Sequence, residues 1–271
     1  MPSDGGTTER EGGFLSGLSN DSITKTLIVA VGLSLVCSVI VSVSAVGLKP
    51  RQEANAEAAR RAEILRAAGL MEEGADVDRV FGERVDARVL DLDTGELVAD
   101  MTPDALDDGP GSGTVLSSSE DLAGIGRRPR YVPVYLVRDG EELQSLVLPV
   151  HGYGLWSTMY GFLALAADGN TVEGLSFYQH GETPGLGGEI ENPRWLAGWH
   201  GKKVYGEGGD VQLGVVKGRV DPSGADSQWQ VDGLSGATLT ANGVTNMIHY
   251  WLGDGAFGPF LARVRSGEGL S

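Results

Sequence analysis

Cysteine is almost missing from this 271-residue chain: Cys37 stands alone. A lone cysteine excludes an intrachain disulfide and any cysteine-ligated metal or iron–sulfur centre. Histidine is scarce too, and His151, His180, His200 and His249 show no i, i+4 pairing, so no metal site is expected. Lysine supplies only five of the 21 basic residues, against 37 acids, for a formal charge of −16. Phosphate-tracking surfaces are basic, which argues against nucleic acid as a partner. No G-x-G-x-x-G follows a strand in a βαβ context, so a Rossmann dinucleotide site is not expected.

Charge is absent altogether from one stretch. "TLIVAVGLSLVCSVIVSVSAVGL", residues 26–48, runs 23 residues without an ionisable side chain other than Cys37. As a helix it would extend ~35 Å, enough to cross a bilayer. It is longer than a signal-peptide core and lacks a separate processing site. We read residues 1–25 as an N-terminal tail, 26–48 as a single transmembrane helix, 49–70 as a helical stalk, and 71–271 as a folded domain. Ala30, Ser34, Ser38 and Ser42 line one face of the span, where small residues permit close helix approach. Arg10 and Lys25 precede the span, whereas Lys49, Arg51, Arg60, Arg61 and Arg66 follow it. On the positive-inside rule these charges put the large domain in the cytoplasm.

The domain reads as α+β with mostly antiparallel sheet. "ARVLDLDTGELV" (87–98), "YVPVYLVRDGEELQSLVLPV" (131–150) and "MYGFLALAADGNTVEGLSFY" (159–178) are three hairpins, turning at Asp-Thr-Gly, Asp139-Gly140 and Asp168-Gly169-Asn170. Residues 102–130 read as loop, with a "GPGSG" run at 109–113. A C-terminal helix starts near Leu239, carrying Val244, Met247, Ile248, Trp251 and Leu252 on one face.

Before that helix lies "DGLSGAT", 232–238. Ser235, Thr238 and Thr240 bring three hydroxyls to a helix start, more than one N-cap needs. Gly236 allows close backbone approach, Ala237 keeps the surface clear, and the helix terminus favours an anion. Three readings fit these residues: a capped helix, an anion-binding module tethered to a membrane, and a serine hydrolase with "GLSGA" as its nucleophile elbow. The hydrolase fails on order, because Asp254 follows His249 and the elbow lacks its second glycine.

"DGLSGAT" is similar to the D-x-x-[ST]-G-A-T flavinylation motif of the FMN-binding domains of sodium-pumping NADH:ubiquinone oxidoreductases and related respiratory complexes. "GYGLWSTMYGFLAL" (152–165), "HGETPGLGGEI" (180–190) and "WLGDGAFGPFL" (251–261) resemble the same family. The resemblance implies a membrane-anchored electron-transfer subunit with FMN held covalently through a phosphoester to Thr238, installed by a flavin transferase. It implies a flavin-site core at about 131–255, with Ser235, Gly236, Ala237, Glu182, Thr183, Leu186 and Gly187 at the site and Trp156 walling the ring. It implies as partners the other subunits of the complex, including another covalent-FMN subunit, with electrons passing on to quinone. No NADH or sodium site is expected on this chain itself. Lys202 and Lys203 are set aside as surface residues, and "WLGDGAFGPFL" is expected to pack in the core. The family also implies an inner-membrane location with the flavin domain on the periplasmic side, against the flanking charges. The nearest other family with this motif is the G subunit of Rnf-type complexes.

Overall fold

The computed structural model describes residues 23–71, 74–106 and 113–268. The tail before Ile23 and most of the 109–113 glycine run lie outside them. The chain divides into two compact units, Met1–Ala56 and Glu57–Ser271.

The first unit is the front of helix α1, Ile23–Ala67. Its apolar window has none of its residues buried. In a water-soluble protein such a surface would be exceptional, whereas lipid is its natural solvent. The small-residue row Ala30, Ser34, Ser38 and Ser42 is likewise exposed.

The second unit opens with the last turns of α1, followed by α2 (Val77–Arg84), β1 (Val85–Asp91) and β2 (Glu96–Val98). The stretch read as loop holds a 3-10 turn (Pro103–Ala105) and a small strand pair, β3 (Thr114–Val115) with β4 (Arg127–Arg128). Then come β5 (Tyr131–Asp139), β6 (Glu142–Tyr153), β7 (Thr158–Ala166), β8 (Val172–Gln179) and α3 (Pro193–Ala197). β9 (Gly214–Val215), β10 (Gln230–Val231), α4 (Thr238–Leu252) and α5 (Gly258–Arg265) complete it. The main sheet has the order β2-β1-β5-β6-β7-β8 and is antiparallel throughout. All three expected hairpins form, as β1–β2, β5–β6 and β7–β8.

The central strands are buried on both faces, which explains their unbroken apolar runs. Side chains alternate between two clusters. Val134 and Leu136, Leu146 and Leu148, and Leu163 and Leu165 face the main core with Val244, Met247, Ile248 and Trp251 of α4 and Phe260 and Leu261 of α5. Tyr135, Val137, Val147, Phe162 and Ala164 meet Ile64 and Ala67 of α1, with Phe81 of α2 alongside. The end of the stretch read as stalk therefore covers the second sheet face. Ser176 Oγ fixes it by donating to the Glu63 carbonyl at 3.1 Å.

Candidate functional site

Helix α4 forms where an apolar stripe meets the sheet, and its first residue is Thr238. The residue at its N-cap is Ala237, φ −129° and ψ 44°, and no side chain caps the helix. The capped-helix reading of "SGAT" therefore fails. The first N–H groups of a helix have no intrahelical acceptor, so this end keeps its affinity for an anion.

The three hydroxyls separate by role. Thr240 is buried, at 1% exposure, and donates to Glu182 Oε2 at 2.5 Å. Ser235 and Thr238 are exposed, and neither hydroxyl forms a hydrogen bond among the described residues. His249 is not a base for Ser235, since its Nε2 lies 3.0 Å from the Leu213 carbonyl.

The turn before α4 is fixed from behind. Trp195 Nε1 donates to the Asp232 carbonyl at 2.7 Å, and Asp232 Oδ1 accepts from the Val220 N–H at 2.7 Å. Gly233 N–H donates to the Gly218 carbonyl at 2.6 Å. Gly236 takes φ +74°, and a Cβ there would sit 2.9 Å from the Leu186 side chain. The positive φ favours glycine, while the Leu186 tip could shift to admit a Cβ.

Leu186 belongs to the "ETPGLGG" turn, closed by Leu186 and Gly188 N–H bonds to the Thr183 carbonyl. Thr183 and Leu186 face outward, while Gly187 is buried. Glu182 is buried as well, at 4% exposure. Its Oε1 accepts the backbone N–H groups of Leu155, Trp156 and Ser157 at 3.0, 2.8 and 3.3 Å. Three segments distant in sequence thus converge on the start of α4, and they carry every site residue named from the sequence.

Their surface is unusually apolar for one so open. Trp156 is 64% exposed and Leu239 59%, and Leu186, whose side chain reaches Gly236, is exposed as well. A core role for Trp156 is excluded. A cleft of about 860 Å³ reaches Ser235 and Gly185 and is walled by Arg194, Lys202, Arg219 and Trp195. These three cations share the cleft with the acids Glu189 and Asp232, a small positive excess in so acidic a chain, and sequence reasoning did not bring them together. Arg194 comes from the short α3, and Lys202 and Arg219 from irregular chain with no periodic signal. Lys202 moves from surface residue to cleft wall, held by a bond from its Nζ to the Ser227 carbonyl at 2.7 Å. Lys203 points instead to Asp168 and Thr171. Thr240 carries no signal in the sequence beyond its hydroxyl.

These features fit an anionic group with a flat apolar part: a hydroxyl without a hydrogen bond among the described residues at a helix N-terminus, exposed apolar side chains near it, and a small excess of cations in a cleft that reaches Ser235. Comparison with known proteins agrees. Residues 154–253 match the FMN-binding domain family, a span that contains all nine sequence-derived site residues. The NqrC subunit of the Na(+)-translocating NADH-quinone reductase of Pseudomonas aeruginosa is 48% identical over 258 residues, covering 92% of this chain and 99% of that protein. Its Vibrio alginolyticus counterpart is 49% identical over 255 residues, covering 92% and 98%. The crystal structure of Shewanella oneidensis NqrC superposes with a TM-score of 0.69 at 31% identity, covering 78% of this chain and 99% of that one. The corresponding structure from Parabacteroides distasonis gives 0.61 at 28% identity, covering 79% and 96%. With near-complete coverage and almost half of the residues identical, the chain belongs to the NqrC family of the Na(+)-translocating NADH-quinone reductases.

Proposed function

We propose that this chain is the membrane-anchored flavin subunit of a sodium-pumping NADH:quinone reductase, relaying electrons within that complex, and that Thr238 Oγ1 carries FMN through a phosphoester. The FMN-binding family match and the NqrC relatives favour the sodium pump over the Rnf-type alternative. The observation that carries the assignment to Thr238 is its hydroxyl: exposed, first in α4, and not used for capping.

FMN supplies reversible electron uptake and release; the chain supplies position and electrostatics. Thr238 fixes the phosphate at the α4 N-terminus, where the free N–H groups and helix dipole favour negative charge. Ser235 and Gly236 shape the turn, whereas Ala237, expected to keep the surface clear, is buried in the main core and anchors the turn instead. Thr183, Leu186, Gly187 and Trp156 offer the ring backbone and apolar contacts. Arg194, Lys202 and Arg219 outnumber Glu189 and Asp232 at the cleft that reaches Ser235 and leave it a small positive excess. Among the described residues no base is hydrogen-bonded to the Thr238 hydroxyl, which suits attachment by a separate flavin transferase.

The partners on this reading are the other subunits of the complex, among them a second covalent-FMN subunit. We place the anchor in the inner membrane and the flavin domain on the periplasmic side. The basic residues after the span bear on this less than their number suggests. Arg61 pairs with Glu57 at 3.1 Å and Asp78 at 2.9 Å, and Arg66 pairs with Glu63. Both arginines belong to the folded second unit, and large domains translocate largely regardless of charge. Protease added to right-side-out spheroplasts should cleave the domain without lysis; protection until lysis would reverse the orientation.

The attachment is tested by in-gel flavin fluorescence of denatured protein from a host that expresses the transferase. Native chain and Ser235→Ala should fluoresce while Thr238→Ala is dark. A dark native band, with the transferase active on a control substrate, would return the turn to a bare anion nest.

A further inference from the structure

Two carboxylates are buried among the described residues, Asp91 and Glu182. Asp91 has a cation, Arg130, 2.8 Å from its Oδ2. Glu182 has none: its partners are three backbone N–H groups on Oε1 and the Thr240 hydroxyl on Oε2, all neutral. The nearby imidazole of His180 faces elsewhere. Its Nδ1 accepts the Glu182 backbone N–H at 3.1 Å, and its Nε2 lies 3.0 Å from Glu191.

The surroundings are cut to fit this group. A Cβ at Gly154 would stand 2.6 Å from Glu182 Oε1, and one at Gly187 would stand 2.6 Å from Thr240 Oγ1 and 2.8 Å from Glu182 Oε2. Burial pushes the carboxyl pKa up, but the Thr240 hydroxyl and the three N–H groups outweigh it and hold the value below the ordinary one. The group is an anion at neutral pH. Holding a neighbouring loop would need only a neutral acceptor, and an amide could occupy the same space. A buried charge with no counter-cation is costly to keep.

We propose that Glu182 and Thr240 form a positioning and electrostatic element of the flavin site. The pair locks the "GYGLWS" and "ETPGLGG" segments to the α4 N-terminus. Its fixed negative charge, held by a residue two positions from Thr238, makes the attached flavin harder to reduce. This rests on the flavin reading above. Adding an electron to the ring next to an anion is disfavoured, so the potential is set lower than the fold alone would give. Glu182 itself exchanges neither electron nor proton; the electron comes from the complex and returns to it.

The test is a redox titration of full-length protein, flavinylated in the same host, for native chain, Glu182→Gln, Thr240→Val and Thr240→Ser. The Gln variant should shift the midpoint upward by at least tenfold in the one-electron equilibrium constant, about 59 mV. The Val variant removes a donor from the carboxylate and should shift it downward, with Thr240→Ser restoring the native value. A purely structural role predicts no such opposite shifts. An unchanged or lower potential in Glu182→Gln, with the flavin attached, overturns the proposal. If Glu182→Gln does not fold, the threonine pair decides, and a Val potential at or above that of Ser overturns it. In-gel fluorescence keeps the two ideas apart, because a dark native band defeats the flavin reading first.

Discussion

Two tryptophans in similar aromatic and glycine-rich stretches meet opposite fates. Trp156 of "GYGLWS" is 64% exposed, whereas Trp251 of "WLGDGAFGPFL" is 1% exposed. Trp251 packs its ring against His151 at 4.8 Å and Phe257 at 5.3 Å, and its Nε1 donates to the His151 carbonyl at 2.7 Å. At Trp156 the backbone is held and the ring is not. Its N–H is bonded to Glu182, so the loop keeps its shape without burying the indole. The two ends of α4 divide the same way. The C-terminal end is closed by Phe257, Phe260 and Leu261. The N-terminal end holds its backbone rigid and leaves a hydroxyl and apolar side chains uncovered. A rigid, uncovered apolar surface is what a tethered planar cofactor requires.

The largest effect that would sharpen this contrast is Trp251→Ala. It should cost ~3–5 kcal/mol, the range for deleting a buried large aromatic, read by denaturant unfolding of the detergent-solubilised chain. Loss of less than ~1 kcal/mol would mean that the closed end is not closed.

Next comes a pH effect on the same side. Burial lowers the His151 pKa from 6.5 to about 4. The unfolded chain therefore binds more protons between those values, and stability rises with pH across that window. The contribution is fully present above about 6.5 and falls by roughly 3 kcal/mol on acidification through about 4. His151→Phe should flatten the stability profile between pH 4 and 6.5. An unchanged slope would show that His151 is open to water.

Thr240→Val removes one hydrogen bond to a buried carboxylate and should destabilise by about 2 kcal/mol. Thr240→Ser should recover most of it, and equal loss in both would mean that packing, not the hydroxyl, matters. The smallest effect on stability belongs to Trp156→Ala, within about 0.5 kcal/mol as for an exposed site. Its flavin should nevertheless become easier to quench with iodide. A large stability loss there would erase the distinction between the two tryptophans.

Much of this was readable in the residues, for particular reasons. The hairpins announced themselves because Asp-Thr-Gly, Asp-Gly and Asp-Gly-Asn turns separate apolar runs, and β1–β2, β5–β6 and β7–β8 follow. The start of α4 was readable to within a residue, since the apolar spacing begins just after "SGAT". Burial of both sheet faces was not. It depends on Ile64 and Ala67 arriving from a helix whose helix-forming residues look the same whether it stands free or packs. Nor were the cleft cations readable. Arg194 sits in α3, and Lys202 and Arg219 follow on irregular chain that holds the two-residue β9. Long-range packing, rather than local pattern, brings them together. Residue type and local pattern alone do not tell Thr240 from Thr238; the motif resemblance singles out Thr238, and the structure separates the two by which one faces Glu182.

That difference is the central claim, and peptide mass spectrometry addresses it directly. Trypsin should release residues 220–263 from the full-length chain made with an active flavin transferase. The account predicts an FMN phosphoester on Thr238, with Ser235 and Thr240 unmodified. An unmodified peptide, or FMN on Ser235 or Thr240, would contradict it.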